Sequence, residues 1–232
     1  MVRIKICGIT TLEDALAACA AGADYLGFIF YPPSLRAVPP ERAAGIVRSI
    51  RRDCDNRAGP ANASLPRFVG VFVNEPAPSI AAILDACDLD LAQLSGDEPA
   101  ETITQPASPL YGRAYKALRP RSFEEAIRDA ARYAAEAGNG PALLLDTPHG
   151  RLYGGSGETG DWNVSAALAR TQPRLMLAGG LTPDNVAAAV ARVRPYAVDV
   201  ASGVEAAPGR KDHALVRAFI ANARGTLDVS GK

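Results

Sequence analysis

Metal-ligating side chains are scarce in this sequence. It has two histidines, His149 and His213, and four cysteines, Cys7, Cys19, Cys54 and Cys87, with no C-x-x-C pair. That spacing builds neither a zinc site nor a disulfide framework, so free thiols in a reducing compartment are expected, with no metal. An excess of one charge is missing too, with 25 Lys and Arg against 25 Asp and Glu. Such a balance argues against a dedicated nucleic-acid or anionic-membrane binder. No apolar run approaches the roughly 20 residues that span a bilayer, and the chain opens on strand pattern instead of a signal peptide. A cytoplasmic protein with no membrane or nucleic-acid partner is therefore expected. What is present is ordinary globular composition, 48% hydrophobic over 232 residues, enough to bury a sizeable core.

The opening stretch, Val2-Arg-Ile-Lys-Ile-Cys-Gly-Ile-Thr10, alternates and then breaks at a glycine. Period two puts Arg3, Lys5 and Cys7 on one face and Ile4 and Ile6 on the other. Seven further strand-length runs follow, at 24–30, 67–73, 91–94, 113–118, 142–146, 174–178 and 197–200. Between them lie helical periodicities: Leu12, Ala15, Leu16 and Cys19, with Thr10 and Glu13 at capping-box spacing; Ala43, Ile46, Val47 and Ile50; Ile80, Ile83, Leu84 and Cys87; a weak helix at 98–104. Then come Ser122 with Glu125 capping Phe123, Ala126, Ile127 and Ala130; a helix from Asp161-Trp162; Thr182-Pro183 opening Val186, Ala189, Val190 and Val193; and Leu215, Ala218 and Phe219. Residues 53–66 have no period and read as a loop. Eight strands alternating with about eight helices, with no linker, predict an α/β fold: a single (β/α)8 TIM barrel over residues 1–225 with a short tail at 226–232. An open doubly wound sheet is the competitor, but two such sheets need a boundary that the sequence does not contain.

Barrel topology sorts the loops, because those that follow strands lie at the catalytic face. Cys7 and Asp146 end strands and so share that face with Arg36, Gln93, the 147–160 loop, Gly179-Gly180 and Ser202-Gly203. The 53–66 segment follows a helix and belongs to the opposite face. A lone strand-end aspartate is more often a cap or ion-pair partner, and a lone cysteine more often a small buried hydrophobe. Their joint placement favours catalytic roles. Lys5 is a candidate for lowering the Cys7 thiol pKa, or else a buried polar partner inside the barrel. Gly179, Gly180, Ser202 and Gly203 lie in the loops after strands seven and eight, where barrels hold phosphate on backbone N–H groups. Arg36 has the planar fork that suits a carboxylate. Gly155-x-Gly157-x-x-Gly160 spells a dinucleotide fingerprint but starts too far beyond its strand, and no acid ends strand seven. It reads instead as part of a glycine-rich loop with five glycines in 147–160, a lid over substrate. His149 reads as a solvated loop residue and Trp162 as packing.

Taken together, Lys5-Ile-Cys-Gly-Ile-Thr10, Gln93-Leu94 with Gly96, Leu145-Asp146, Gly154-Gly-Ser-Gly157 through Asp161-Trp162, Ala178-Gly-Gly-Leu-Thr-Pro183 and Val198-Asp-Val-Ala-Ser-Gly-Val-Glu205 resemble phosphoribosylanthranilate isomerase, in order over nearly the whole chain. The resemblance implies a barrel enzyme of tryptophan biosynthesis, a monomer or homodimer, that works without metal or cofactor. Its reaction is the Amadori rearrangement of N-(5-phosphoribosyl)anthranilate to the 1-deoxyribulose 5-phosphate product. It further implies Asp146 as general acid, Cys7 as general base, Arg36 on the anthranilate carboxylate, Gln93 and Asp199 as substrate contacts, and the strand-seven and strand-eight loops on phosphate. Three positions depart from the family pattern: Ser95 for histidine, Leu35 for proline, and Gly160 for an aromatic residue. The related isomerase of histidine biosynthesis uses a carboxylate where Cys7 stands and has two similar phosphate-binding halves, which leaves it as a side activity only. A non-catalytic barrel serving as a binding module is the reading from another class, and the retention of Cys7 and Asp146 argues against it.

Overall fold

The computed structural model describes residues 1–56 (side chains to 53), 65–135, 138–146 and 162–225. Eight parallel strands close into a barrel: β1 (Arg3–Cys7), β2 (Tyr25–Ile29), β3 (Arg67–Phe72), β4 (Leu91–Leu94), β5 (Ala114–Leu118), β6 (Leu143–Asp146), β7 (Leu175–Ala178) and β8 (Ala197–Val200). The seam is the β1–β8 pair, where Lys5 stands opposite Asp199. The helices are α1 (Leu12–Ala21), α2 (Pro40–Asn56), α3 (Ala77–Cys87), the single turn α4 (Glu101–Thr104), α5 (Phe123–Tyr133), α6 (Trp162–Thr171), α7 (Val186–Val193) and α8 (His213–Gly225). None of them is long and apolar enough to cross a membrane.

Alternation along each strand divides the core in two. Ile4, Ile6, Leu26, Phe28, Phe68, Phe72, Ala92, Leu94 and Val198 face outward and pack beneath the helices. Tyr25, Val69, Leu91, Tyr115, Leu144, Met176 and Ala197 face inward and fill the barrel. At the N-terminal end the Tyr25 and Tyr196 hydroxyls are 3.2 Å apart, and the Arg3 guanidinium stacks 4.4 Å from the Tyr196 ring centre. The interior is a packed core, as barrels of this size require.

Helix boundaries and faces are where the expectations shift. Helix α1 is capped by Thr11, whose hydroxyl accepts from the Asp14 N–H, while Thr10 donates its hydroxyl to the Gly209 carbonyl at 2.5 Å. The tertiary contact takes Thr10 out of the capping competition. Leu12 is exposed, and Asp14, Ala15 and Ala18 face inward. Helix α2 continues to Asn56, inside the stretch expected to be loop, and 57–64 lie outside the described residues. The weak helix at 98–104 reduces to one turn. Ser122 caps α5 as expected, but Ala126 and Ala130 form its inner face while Phe123 and Ile127 stay exposed. Helix α7 starts at Val186: the Asn185 side chain accepts from the Thr182 N–H and donates to the Gly180 carbonyl, closing a turn before the helix. In α8 the inner face is Val216, Phe219, Ile220 and Ala223, one residue round from Leu215. Trp162 does pack against the core at the start of α6. The 147–160 loop with its Gly155–Gly160 motif and His149, as well as the 226–232 tail, lies outside the described residues.

One element was not expected. After β8 a short 3-10 turn, Ser202–Val204, leads into an antiparallel hairpin of β9 (Glu205–Ala207) and β10 (Arg210–Lys211). Pro208-Gly209 makes its turn, with Gly209 at φ 78°. Asp14 binds the hairpin from below, its carboxylate accepting from the Lys211 N–H at 3.2 Å and contacting His213 Nε2 at 2.9 Å.

Candidate active site

The inward residues of β1 carry the site. Lys5 is fully buried, and its ammonium donates to Asp199 Oδ1 and Gln93 Oε1, each at 3.0 Å. Tyr115 adds its hydroxyl to the same Gln93 oxygen at 3.1 Å, and Gln93 Nε2 donates to Ser95 Oγ at 3.2 Å. These groups form a hydrogen-bonded polar floor across four strands. Burial works against the Lys5 charge, but Asp199 first, then Cys7 and Tyr115, hold its pKa above the ordinary value. Burial likewise pushes the Asp199 carboxyl up, against the pull of Lys5. Gln93 is thus tied into the floor, and Ser95, standing where a histidine is usual, serves as its acceptor.

Cys7 ends β1 one layer above Lys5. Gly27 on β2 pairs with it, and a Cβ at Gly27 would come 2.8 Å from Cys7 Sγ and 3.2 Å from Lys5 Cε. The missing side chain makes the room that the thiol occupies. Lys5 does pull the Cys7 pKa down, as the sequence suggested. Burial is the larger effect, however, and the thiol sits above its ordinary value. The expectation of a thiolate favoured by Lys5 is therefore corrected: desolvation outweighs one neighbouring cation that already serves Asp199.

Asp146 ends β6 beside Ala178 of β7 and lies within electrostatic reach of Asp199. Its Oδ2 accepts from Arg119 Nε at 3.0 Å, and Arg119 also reaches the Ser95 carbonyl at 3.3 Å. Arg119 follows β5 directly, so its place at the catalytic end was available from strand-end counting, although no motif marked it.

Arg36 lies in the loop after β2, its stem packed on Gly8, which follows Cys7 at φ 74°. Its guanidinium is not open on all sides, because Glu205 takes Nε and Nη2 at 2.8 and 2.6 Å. The loops after β7 and β8 meet directly: a Cβ at Gly203 would overlap the Leu181 carbonyl oxygen at 1.9 Å. Gly179 and Gly180 have φ of 96° and 58°, a conformation that L side chains rarely adopt. Ser202 is exposed at the start of its 3-10 turn. The structure thus gathers Cys7, Asp146, Asp199, Arg36 and both glycine loops at one mouth and sets Gln93 in the floor beneath.

Residues 4–222 match the family model described as N-(5'phosphoribosyl)anthranilate (PRA) isomerase. The chain is 48% identical over 228 residues to the N-(5'-phosphoribosyl)anthranilate isomerase of Geobacter sulfurreducens, covering 97% of this chain and 100% of that one. It is similar to the crystal structure of phosphoribosyl anthranilate isomerase from Thermotoga maritima at 41% identity and TM-score 0.77, over 97% of this chain and 100% of the other. A further similar structure, at 39% identity and TM-score 0.72 with 97% and 100% covered, holds reduced 1-(o-carboxyphenylamino)-1-deoxyribulose 5-phosphate.

Proposed function

The chain belongs to the N-(5'-phosphoribosyl)anthranilate isomerase family, and from that premise we propose that it converts N-(5'-phosphoribosyl)anthranilate to 1-(o-carboxyphenylamino)-1-deoxyribulose 5-phosphate in tryptophan biosynthesis. The observation that carries this reading is the shared mouth. A thiol over a buried ammonium, a strand-end carboxyl, an arginine fork and two abutting glycine loops all open to the same side of the barrel.

In this reading the glycine loops hold the phosphate with backbone N–H groups of Gly179, Gly180, Ser202 and Gly203. Arg36 takes the anthranilate carboxylate, and Asp199 meets the ribose hydroxyls with the oxygen that Lys5 leaves. Gln93 supports them by fixing Lys5. Asp146 protonates the ring oxygen, the C1–O bond opens, and the anilino nitrogen supplies the electrons for a Schiff base. Cys7 then removes the C2 proton, and the electron pair moves into the C1–C2 bond to give an enolamine, which tautomerises to the ketone. The acid must start protonated and the base deprotonated. A neutral Cys7 thiol with an Asp146 carboxylate holds the same number of protons as that active pair, so one internal proton shift reaches it. The protein works as a monomer or homodimer in the cytoplasm.

The decisive measurement follows anthranilate-type fluorescence after the purified protein is mixed with freshly made phosphoribosylanthranilate. Consumption well above the spontaneous rate is expected. No acceleration would return the barrel to a binding role.

A further inference from the structure

We infer that Glu205 is a positioning residue: it turns Arg36 into a one-edged reader of the substrate's aromatic carboxylate. This rests on the reading of Arg36 just given and deepens it. Glu205 opens β9, and its carboxylate is nearly inaccessible, with 5% of the side chain exposed. Oε1 accepts from Arg36 Nε at 2.8 Å and from Lys211 Nζ at 2.9 Å, while Oε2 accepts from Arg36 Nη2 at 2.6 Å.

The geometry of a guanidinium gives this pairing a direction. Its five N–H bonds form a planar fork, and a carboxylate on Nε and Nη2 occupies the side edge. The remaining parallel pair, one N–H each from Nη1 and Nη2, forms the end edge. That edge is the one left for a second bidentate carboxylate. The arginine stem is confined as well, since it lies on Gly8, where an added Cβ would be 2.8 Å from Arg36 Cδ. Its backbone N–H donates to Ser34 Oγ at 3.1 Å.

Charge points the same way. Glu205 stands between two cations, Arg36 and Lys211, leaving one net positive charge for an incoming carboxylate. Lys211 is itself fixed, because its ammonium also donates to the Ala201 carbonyl at 3.0 Å and its backbone N–H is held by Asp14. The hairpin thus brings a rigid anion to the arginine, and without it Arg36 is a long flexible cation with many rotamers.

The test uses two probes: reduced 1-(o-carboxyphenylamino)-1-deoxyribulose 5-phosphate and the same molecule without its carboxylate. The wild-type protein is expected to prefer the first by about 10- to 100-fold, the range of a charge-assisted pair. In Glu205→Ala and the near-isosteric Glu205→Gln, most of that preference is lost while affinity for the carboxylate-free probe changes less than about threefold. KM then rises more than kcat falls. The inference is overturned if both variants keep the wild-type preference, or if both probes weaken equally, which would make Glu205 a purely structural brace. A wild-type protein that binds both probes equally removes the carboxylate role of Arg36, and one that binds neither removes the substrate reading; the inference falls with each.

Discussion

The two sides of the barrel mouth are built differently. On the β1–β8 side, Cys7 sits over the hydrogen-bonded set of Lys5, Asp199 and Gln93, and a second hydrogen-bonded set, Arg36, Glu205 and Lys211, closes the flank, most of these groups being buried. On the β6 side, Asp146 has about a third of its side chain exposed, and its arginine partner, Arg119, is 60% exposed. The thiol proposed as base is held in a preset environment made when the seam of the barrel closes. The carboxyl proposed as acid has a partner that is largely open to water. Such an arrangement suits a carboxyl that has to exchange a proton on every turnover, beside a thiol that must not wander.

Breaking either partner at its chemistry gives the largest effect. Cys7→Ala and Asp146→Asn are each expected to lower kcat by about 10²–10⁴-fold, with circular dichroism unchanged. Full activity of either variant would sink the acid–base assignment.

Stability separates the two sides next. Lys5→Met leaves Asp199 buried without its cation and is expected to cost about 3–5 kcal/mol. Arg119→Ala breaks an equally short pair in water and is expected to cost less than about 1 kcal/mol. Urea titrations of both variants compare them directly, and equal losses would erase the contrast between the sides.

Gly27→Ala tests how tightly the Cys7 thiol is held. A methyl group 2.8 Å from Cys7 Sγ must displace the thiol. A loss of about 10- to 100-fold in kcat is expected, with little change in KM. Unchanged turnover would show that the thiol has slack.

The smallest effect is in the pH profile. Since burial raises the Cys7 pKa, the resting thiol keeps its proton through neutral pH. The value of kcat/KM is expected to stay flat within about twofold there and to fall only at a pH above the ordinary thiol value of about 8.5, because burial holds the Cys7 thiol above it. Beyond that point the site loses the proton that the proposed mechanism assigns to Asp146. A tenfold rise per pH unit toward alkaline pH would instead mean that turnover depends on the Cys7 thiolate alone, with no proton required from Asp146.

The parallel barrel, its inward and outward strand faces, and the strand-end positions of Cys7 and Asp146 were legible in the sequence. Period-two alternation and the order of elements are local properties that survive folding. The faces of α5 and α8 were legible only in part: on α5 Ala126 and Ala130 pack inward while Phe123 and Ile127 stay outward, and on α8 Phe219 is joined inside by Val216, Ile220 and Ala223 while Leu215 stays outward. The β4 loop shows the same limit: Lys116 reaches Glu98 at 2.5 Å, and Glu98 in turn accepts from the Asn74 and Gly96 N–H groups. No spacing announces a contact between a strand and a loop that only the closed barrel brings together.

By itself the sequence determined which side chains reach the catalytic end, since alternation and strand termini set direction. Only the tertiary structure decided their state. It showed Lys5 committed to Asp199 and Gln93, burial outweighing Lys5 at Cys7, and Arg36 held by Glu205 from 169 residues away. Direction follows from backbone geometry within a few residues, whereas charge state and pairing follow from desolvation and distance, which exist only once the barrel has closed.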